Sequence, residues 1–283
     1  MAVKIIIDSA SDFTKQEAEE KGLIFLPMEI TIGDKIYSDG VDLLPKDFYD
    51  ILASTTSLPK TSQITAYTYE EKIQEIVDSG DQVVIITISS KLSATYSNAE
   101  RACQKFNGKA FAVDSLNACL GEKILGLYAI QLANSGKSAK EIYTELQSAK
   151  TQVKVFAMID TLEYLKKGGR LSGAAAVVGS LLNIKPIISV DNGEIKNIGK
   201  AMGLKKGFKA VVDTISTNGE IDYTKPYGII YSGNDTTNLH KFLEYGSELW
   251  IKDTDNPLTS DLGSTIGTHI GPGAIGMAYF TKN

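Results

Sequence analysis

Three short apolar runs, Val3–Ile7, Gln82–Ile88 and Lys109–Val113, alternate with segments of helical periodicity through the first half of the chain. Runs of this length, apolar or β-branched, are what strands buried on both faces require, and they predict the central strands of a parallel sheet. Ser or Thr followed three residues later by Glu marks helix starts at Thr14 with Glu17, Thr68 with Glu71 and Ser138 with Glu141. In that spacing the hydroxyl and the carboxylate satisfy N–H groups that a helix start leaves open. Gly22, Gly80 and Gly136 stop or separate these segments. Strand followed by helix, repeated, predicts a three-layer α/β domain over residues 1–151.

From about Thr151 the pattern changes. A strand over Val153–Ile159 leads to a helix ending at Lys166-Lys167-Gly168-Gly169, and an Ala/Val/Leu-rich segment, Gly173–Leu182, follows. Two arms, Ile184–Val190 and Ile195–Ile198, flank Asp191-Asn192-Gly193-Glu194, which is a turn by composition. A helix over Leu204–Thr217, a strand over Tyr227–Tyr231, a helix near Asn238–Tyr245, a strand over Glu248–Lys252 and a last strand over Met277–Phe280 complete the pattern. Hairpin and crossover signals together predict a two-layer α+β domain over residues 152–283.

Charge and composition remove several function classes. With 29 Lys+Arg against 34 Asp+Glu the chain carries a net charge of -5, so no basic field exists for a phosphate backbone and nucleic acid is not an expected partner. Cys103 and Cys119 cannot build a disulfide framework, which fits a reducing compartment. The longest uncharged stretch, Leu171–Ile184, has 14 residues, short of the ~20 that span a bilayer. The expectation is a soluble, cytoplasmic protein without stable membrane insertion. No Gly-x-Gly-x-x-Gly is present, and Gly193 to Gly199-Lys200-Ala201 has the wrong spacing for a phosphate loop. Two histidines and no clustered Cys/His make a zinc site an unexpected feature, and no Gly-x-Ser-x-Gly elbow is visible. His240 lies on an amphipathic helix as a surface residue. His269 falls in Gly267-Thr268-His269-Ile270-Gly271-Pro272-Gly273-Ala274-Ile275-Gly276, read first as tight turns returning the last strand and second as close backbone approach around a His donor.

Ligands of open parallel sheets bind outside the carboxyl ends of the strands. The loops there are rich in hydroxyls and poor in charge: Asp8-Ser9-Ala10-Ser11, Ser89-Ser90-Lys91-Leu92-Ser93-Ala94-Thr95 and Asp114-Ser115, with Thr61-Ser62-Gln63 ahead of the Thr68 helix. Hydroxyls and open helix N–H groups facing one crevice form a neutral donor array suited to a small anion, and one carboxylate fits it better than a triphosphate. Ser and Thr at such junctions are first of all caps. Ser9 and Ser115 are read as caps, whereas for Ser93 cap and ligand stand equal. Lys166 and Lys167 are read as helix C-terminal cations.

Asp8-Ser9, Lys60-Thr61-Ser62-Gln63, Ser89 to Tyr96, Val113-Asp114-Ser115 and Leu162 to Arg170 together resemble the DegV family, in matching order. Leu182-Asn183-Ile184-Lys185-Pro186 and Thr268-His269-Ile270-Gly271-Pro272-Gly273 extend the likeness over essentially the whole chain. The resemblance implies a bacterial fatty acid-binding protein of two α/β domains with the ligand between them, a carrier without a catalytic residue, cofactor or metal of its own. Its ligand would be a long-chain acid such as palmitate. It implies that the carboxylate meets the Thr61 hydroxyl, the Ser93 hydroxyl and the Ala94 N–H, with His269 nearby and Ser62 in support. It further implies a separate fatty acid kinase as partner, and Arg170, beyond the helix cap, is assigned to docking that kinase or offsetting ATP charge. Ala94 stands where the family usually has Gly, Ile64-Thr65 replaces the frequent Pro-Ser, and Met202 occupies a position often held by Arg. Two rival readings stay open: a serine-dependent esterase or phosphotransferase using Ser93 or Thr61 as nucleophile, and a regulatory module that senses a small carboxylate.

Overall fold

The computed structural model describes residues 2–55, 57–173, 183–250 and 257–282. Apart from Gly173, the expected apolar segment Gly173–Leu182 lies outside the described residues, as do Ile251 and Lys252. The strands in chain order are β1 (Val3–Asp8), β2 (Leu23–Leu26), β3 (Glu29–Ile32), β4 (Lys35–Ser38), β5 (Lys60–Ser62), β6 (Gln82–Thr87) and β7 (Ala110–Asp114). They are followed by β8 (Val153–Met158), β9 (Ile184–Asp191), β10 (Glu194–Met202), β11 (Gly228–Tyr231), β12 (Leu258–Asp261) and β13 (Ile275–Phe280).

A four-stranded sheet, ordered β2-β1-β6-β7, is parallel throughout. Its two central strands, β1 and β6, come from the apolar runs at Val3 and Gln82, and Ile6, Ile7, Val83, Val84, Ile85 and Ile86 have no exposed surface. Helices Ala66–Asp78 and Thr95–Cys103 pack together against it, as do helices Leu120–Asn134 and Ala139–Ala149, which gives the expected three layers. Helix Leu120–Asn134 also touches β8, β11 and β13 of a second sheet. Its sequence is apolar on nearly every side because it is covered on nearly every side.

That second sheet is mixed, ordered β10-β9-β8-β13-β11-β12, with only β11 and β12 parallel. Helices Leu204–Thr217 and Thr237–Tyr245 cover one face through Phe208 and Phe242, whose rings lie 5.3 Å apart, with Trp250 4.8 Å from Phe242. The β9–β10 hairpin closes on Asn192-Gly193 with φ of 49° and 85°, the double left-handed conformation of a type I′ turn that Asn-Gly adopts at low cost. The hairpin tip reaches across to the first sheet, where the Ser89 hydroxyl donates to the Gly193 carbonyl at 2.8 Å.

A third, antiparallel sheet, ordered β4-β3-β5, packs with helix Pro45–Ser54 around Ile30, Leu43, Phe48 and Tyr49. It is absent from the sequence expectations. Four other expectations need correction. The helix expected from Thr68 begins at Ala66, because the Thr65 hydroxyl accepts the Thr68 N–H and so caps one turn earlier. The strand expected over Glu248–Lys252 begins instead as a helical turn, Ser247–Trp250, since Trp250 must fold inward onto Phe242; β12 takes the edge of the sheet. Ser9 and Ser115 do not cap helices: Ser9 accepts the Met28 N–H and Ser115 folds onto Asn117. The tract from Gly267 is not turns alone, because residues to Ile270 belong to a helix, Ser264–Ile270, and the turn proper starts at Gly271.

Gly276 faces Ala157 across β13 and β8, and a Cβ there would overlap the Phe156 carbonyl oxygen. Gly276→Ala is therefore expected to destabilise the protein by about 1–3 kcal/mol. Urea unfolding checks it, and an unchanged midpoint would contradict this strand spacing.

Candidate functional site

The strands of the mixed sheet send alternate side chains to opposite faces. On β8, Phe156 and Met158 join the outer core with Ile187, Ile229 and Met277, while Val155 and Ala157 face inward with Ile188 and Ile230. The inward set is smaller. Between that face and the loops of the parallel sheet lies a cavity. Val155, Ala157, Ile188, Val190, Ile195 and Ile230 wall one side, and Ile88, Leu92, Cys119, Ile266 and Ile270 wall the other.

Polar side chains from several chain segments share the lining of this cavity. Thr61 arrives on β5, Ser93 and Ala94 on the loop into helix Thr95–Cys103, His269 on the last turn of helix Ser264–Ile270, and Arg170 just beyond helix Glu163–Lys167. Ser62, Gln63 and Thr265 also line the cavity. The structure thus brings Thr61, Ser62, Ser93, Ala94, Arg170 and His269 to one cavity from four chain segments.

Thr61 Oγ1 lies 3.0 Å from His269 Nε2. On its other side the imidazole abuts Gly168, where any Cβ would overlap Nδ1, and Nδ1 has no hydrogen-bond partner among the described residues. An unpartnered ring N–H costs more to bury than an unpartnered lone pair, which assigns the proton to Nε2. His269 then donates to Thr61, and the Thr61 hydroxyl proton is left to point elsewhere. Burial, followed by the nearby Arg170 cation, pushes the imidazole down from 6.5 to about 4, so the ring is neutral.

Ser93 does the work of a cap and keeps a proton as well. Its Oγ accepts the Thr95 N–H at 3.2 Å and sits 2.9 Å from Thr95 Oγ1. With the Thr95 hydroxyl as donor, the Ser93 hydroxyl can turn to a ligand. Ala94, at φ -79° and ψ 5°, holds a conformation open to any residue, and the first N–H groups of its helix have no acceptor within the helix. Arg170 is half-buried, with Nε donating to the Leu92 carbonyl at 3.1 Å and Nη1 to the Gly168 carbonyl. These bonds tie together the loops that carry Ser93 and back His269. The role of Gly168 escapes sequence reading, since Gly-Gly after two lysines already has a full explanation as a helix end.

No group of three or more His, Cys, Asp or Glu among the described residues is placed to hold a metal ion. Cys103 and Cys119 are free and buried. No described helix is long and apolar enough to cross a membrane.

A parallel α/β unit joined to a mixed sheet encloses, between the two sheets, a largely apolar cavity with polar side chains in its lining. The chain belongs to the DegV family: the family model described as an uncharacterised protein of the DegV family matches residues 2–282. A DegV domain-containing protein of Caldanaerobacter subterraneus subsp. tengcongensis is 32% identical over 282 residues, 99% of each chain. Among solved structures, a fatty acid-binding DegV family protein from Thermus thermophilus superposes with a TM-score of 0.87 at 28% identity, and DegV, a fatty acid binding protein from Bacillus subtilis, with 0.84 at 28%. Both alignments cover 100% of both chains.

A neutral, buried His269 has a direct signature. An NMR pH titration of its ring resonances is expected to show a midpoint near 4, with the imidazole uncharged above it. A midpoint at or above 6.5 would mean that the ring is solvated and not bonded to Thr61 as described.

Proposed function

We propose that this protein binds a long-chain fatty acid and presents it to a fatty acid kinase for acyl phosphate formation. The observation that carries the binding is the cavity itself: lined mostly by apolar side chains, with the hydroxyls of Thr61 and Ser93, His269 and one cation, Arg170, among its polar groups. The carboxylate is taken by the Thr61 hydroxyl, the Ser93 hydroxyl and the Ala94 N–H, with His269 behind Thr61 and Ser62 in support. The tail lies between a unit of residues 1–151 and a unit of residues 152–283. The solved structures from Thermus thermophilus and Bacillus subtilis, both described as fatty acid-binding, support this reading.

Tail and head divide the labour. A palmitate tail has about 14 methylenes, and at ~0.8 kcal/mol each its burial contributes on the order of 11 kcal/mol before the costs of association. Each hydrogen bond to the charged head adds about 1.5–3 kcal/mol. The tail supplies affinity, and the head decides which end faces the mouth.

The kinase partner follows from the family resemblance. Arg170 at the mouth is the candidate for meeting it or for offsetting ATP charge, and Met202, 56% exposed, stands where the family often carries Arg. A cytoplasmic setting suits two buried, unpaired thiols. The carrier reading is preferred over an esterase. Thr61 and His269 form a hydroxyl–imidazole pair, yet no acidic group among the described residues orients Nδ1, as the third member of such a nucleophilic triad does.

Mass spectrometry of protein purified without added lipid is expected to find a stoichiometric long-chain fatty acid, and its absence would overturn the proposal. Ser93→Ala is expected to cut kinase-dependent phosphorylation of the bound acid about tenfold, the loss of one charge-assisted bond, while total lipid content stays nearly unchanged. Equal losses in both measurements would refute the division between tail and head.

A further inference from the structure

We infer that Asp39 is a positioning residue for the head-group site: its buried carboxylate holds the start of the helix that carries His269 and seats that helix against the strand pair that carries Thr61. The inference rests on the head-group reading above and extends it to a residue outside the cavity.

Helix Ser264–Ile270 lacks a cap of its own. Gly263 occupies the N-cap position and offers no side chain. Asp39, 225 residues away in sequence, supplies one: Oδ1 accepts the Ser264 N–H at 3.0 Å and the Ser264 hydroxyl at 2.5 Å, and Oδ2 accepts the Thr265 N–H at 3.2 Å. Asp12 Oδ1 accepts the Gly263 N–H at 2.9 Å. Two carboxylates from the first half of the chain thus take three consecutive N–H groups at the start of this helix. His269 stands one turn beyond Thr265, on the same short, rigid element.

Asp39 is equally tied to Thr61. It follows directly on β4, and its own N–H donates to the Met28 carbonyl at 2.9 Å, just before β3. β3 pairs with β4 on one side and with β5 on the other, where Ile30 lies opposite Thr61. One aspartate therefore joins both partners of the 3.0 Å Thr61–His269 contact, and it does so from a site that is 1% exposed. Burial pushes its carboxyl up while the Ser264 and Thr265 donors pull it down. A generic cap would not require a carboxylate at such a desolvation cost. Two donor sets, one on each oxygen, do require it, because an amide in its place presents one acceptor and one donor.

The experiment compares wild type with Asp39→Asn in two measurements. The first is competition binding of palmitate and of hexadecan-1-ol, ligands with the same tail and different heads. In the variant, palmitate affinity is expected to fall about tenfold, with the alcohol unchanged. The second is the His269 NMR titration in ligand-free protein, where the midpoint is expected to move from about 4 toward the ordinary imidazole range as the ring leaves its seat. Exposed His240 serves as the internal control for the resonance assignment. A folded Asp39→Asn protein with an unchanged acid-to-alcohol ratio and an unchanged His269 midpoint overturns the inference. Parallel loss of both ligands with His269 unmoved also overturns it, since that pattern marks general loosening. Should Asp39→Asn fail to fold, Ser264→Ala removes one of the bonds and is expected to shift the ratio about threefold in the same direction; no shift overturns the inference. A wild-type protein that does not prefer the acid refutes the head-group reading instead, and the His269 midpoint then still decides the role of Asp39.

Discussion

Period-two alternation on the mixed sheet is the constraint on which the cavity depends. β8 carries Val155 and Ala157 on one face and Phe156 and Met158 on the other, and the neighbouring strands follow the same rule. The bulk needed to hold helices Leu204–Thr217 and Thr237–Tyr245 sits on the outer face. The inner face, with smaller side chains, meets loops from the parallel sheet without filling the space between. A shift of one residue in the β8–β13 register would bring Phe156 and Met158 inward and close the cavity. The cavity is therefore a property of register and side-chain size, while helix Leu120–Asn134 packs against strands of both sheets.

Negative charge is managed by the same economy of position. No carboxylate lines the cavity among the described residues. Nearby aspartates turn instead to the backbone: Asp8 accepts the N–H groups of Ala10 and Ile88, and Asp114 those of Ser90 and Leu116. Each bond braces a loop of the parallel sheet while keeping its charge away from the cavity. Asp8 is raised to about 7, first by burial and against the pull of those N–H donors. Its folded carboxyl holds a proton more firmly than the unfolded one, so this group favours folding below about 4 and loses that contribution as pH rises through about 7.

The central strands, the Asn192-Gly193 hairpin and the polar residues of the mouth were legible in the sequence for different reasons. Strands at Val3 and Gln82 are buried on both faces, so their apolar runs are unbroken. The hairpin needs two residues with positive φ, and Asn-Gly announces them. The mouth residues were legible as hydroxyls at strand ends and as members of a family pattern, but their convergence was not, because Thr61 and His269 are 208 positions apart. The third sheet was missed since β3, β4 and β5 are three or four residues long, too short to establish a period. Helix Ser264–Ile270 was hidden by its own glycines. Its start is capped by Asp39 and Asp12 from elsewhere in the chain, and no local pattern can signal a cap that arrives through tertiary structure.

Arg170 bears on why a carrier would hold an acid with neutral groups. It is the single cation lining the cavity among the described residues, and its Nε and Nη1 already serve the Leu92 and Gly168 carbonyls. It therefore offers the mouth a positive field more than a ready two-pronged grip. A desolvated ion pair is costly to break once formed, because each charge left behind must be resolvated. Hydroxyl and amide donors orient a carboxylate without imposing that cost on its departure. In the proposed function the tail retains the ligand, and the head remains accessible to chemistry at the mouth; a neutral His269 behind Thr61 serves both needs, since an imidazolium there would convert a releasable contact into a salt bridge.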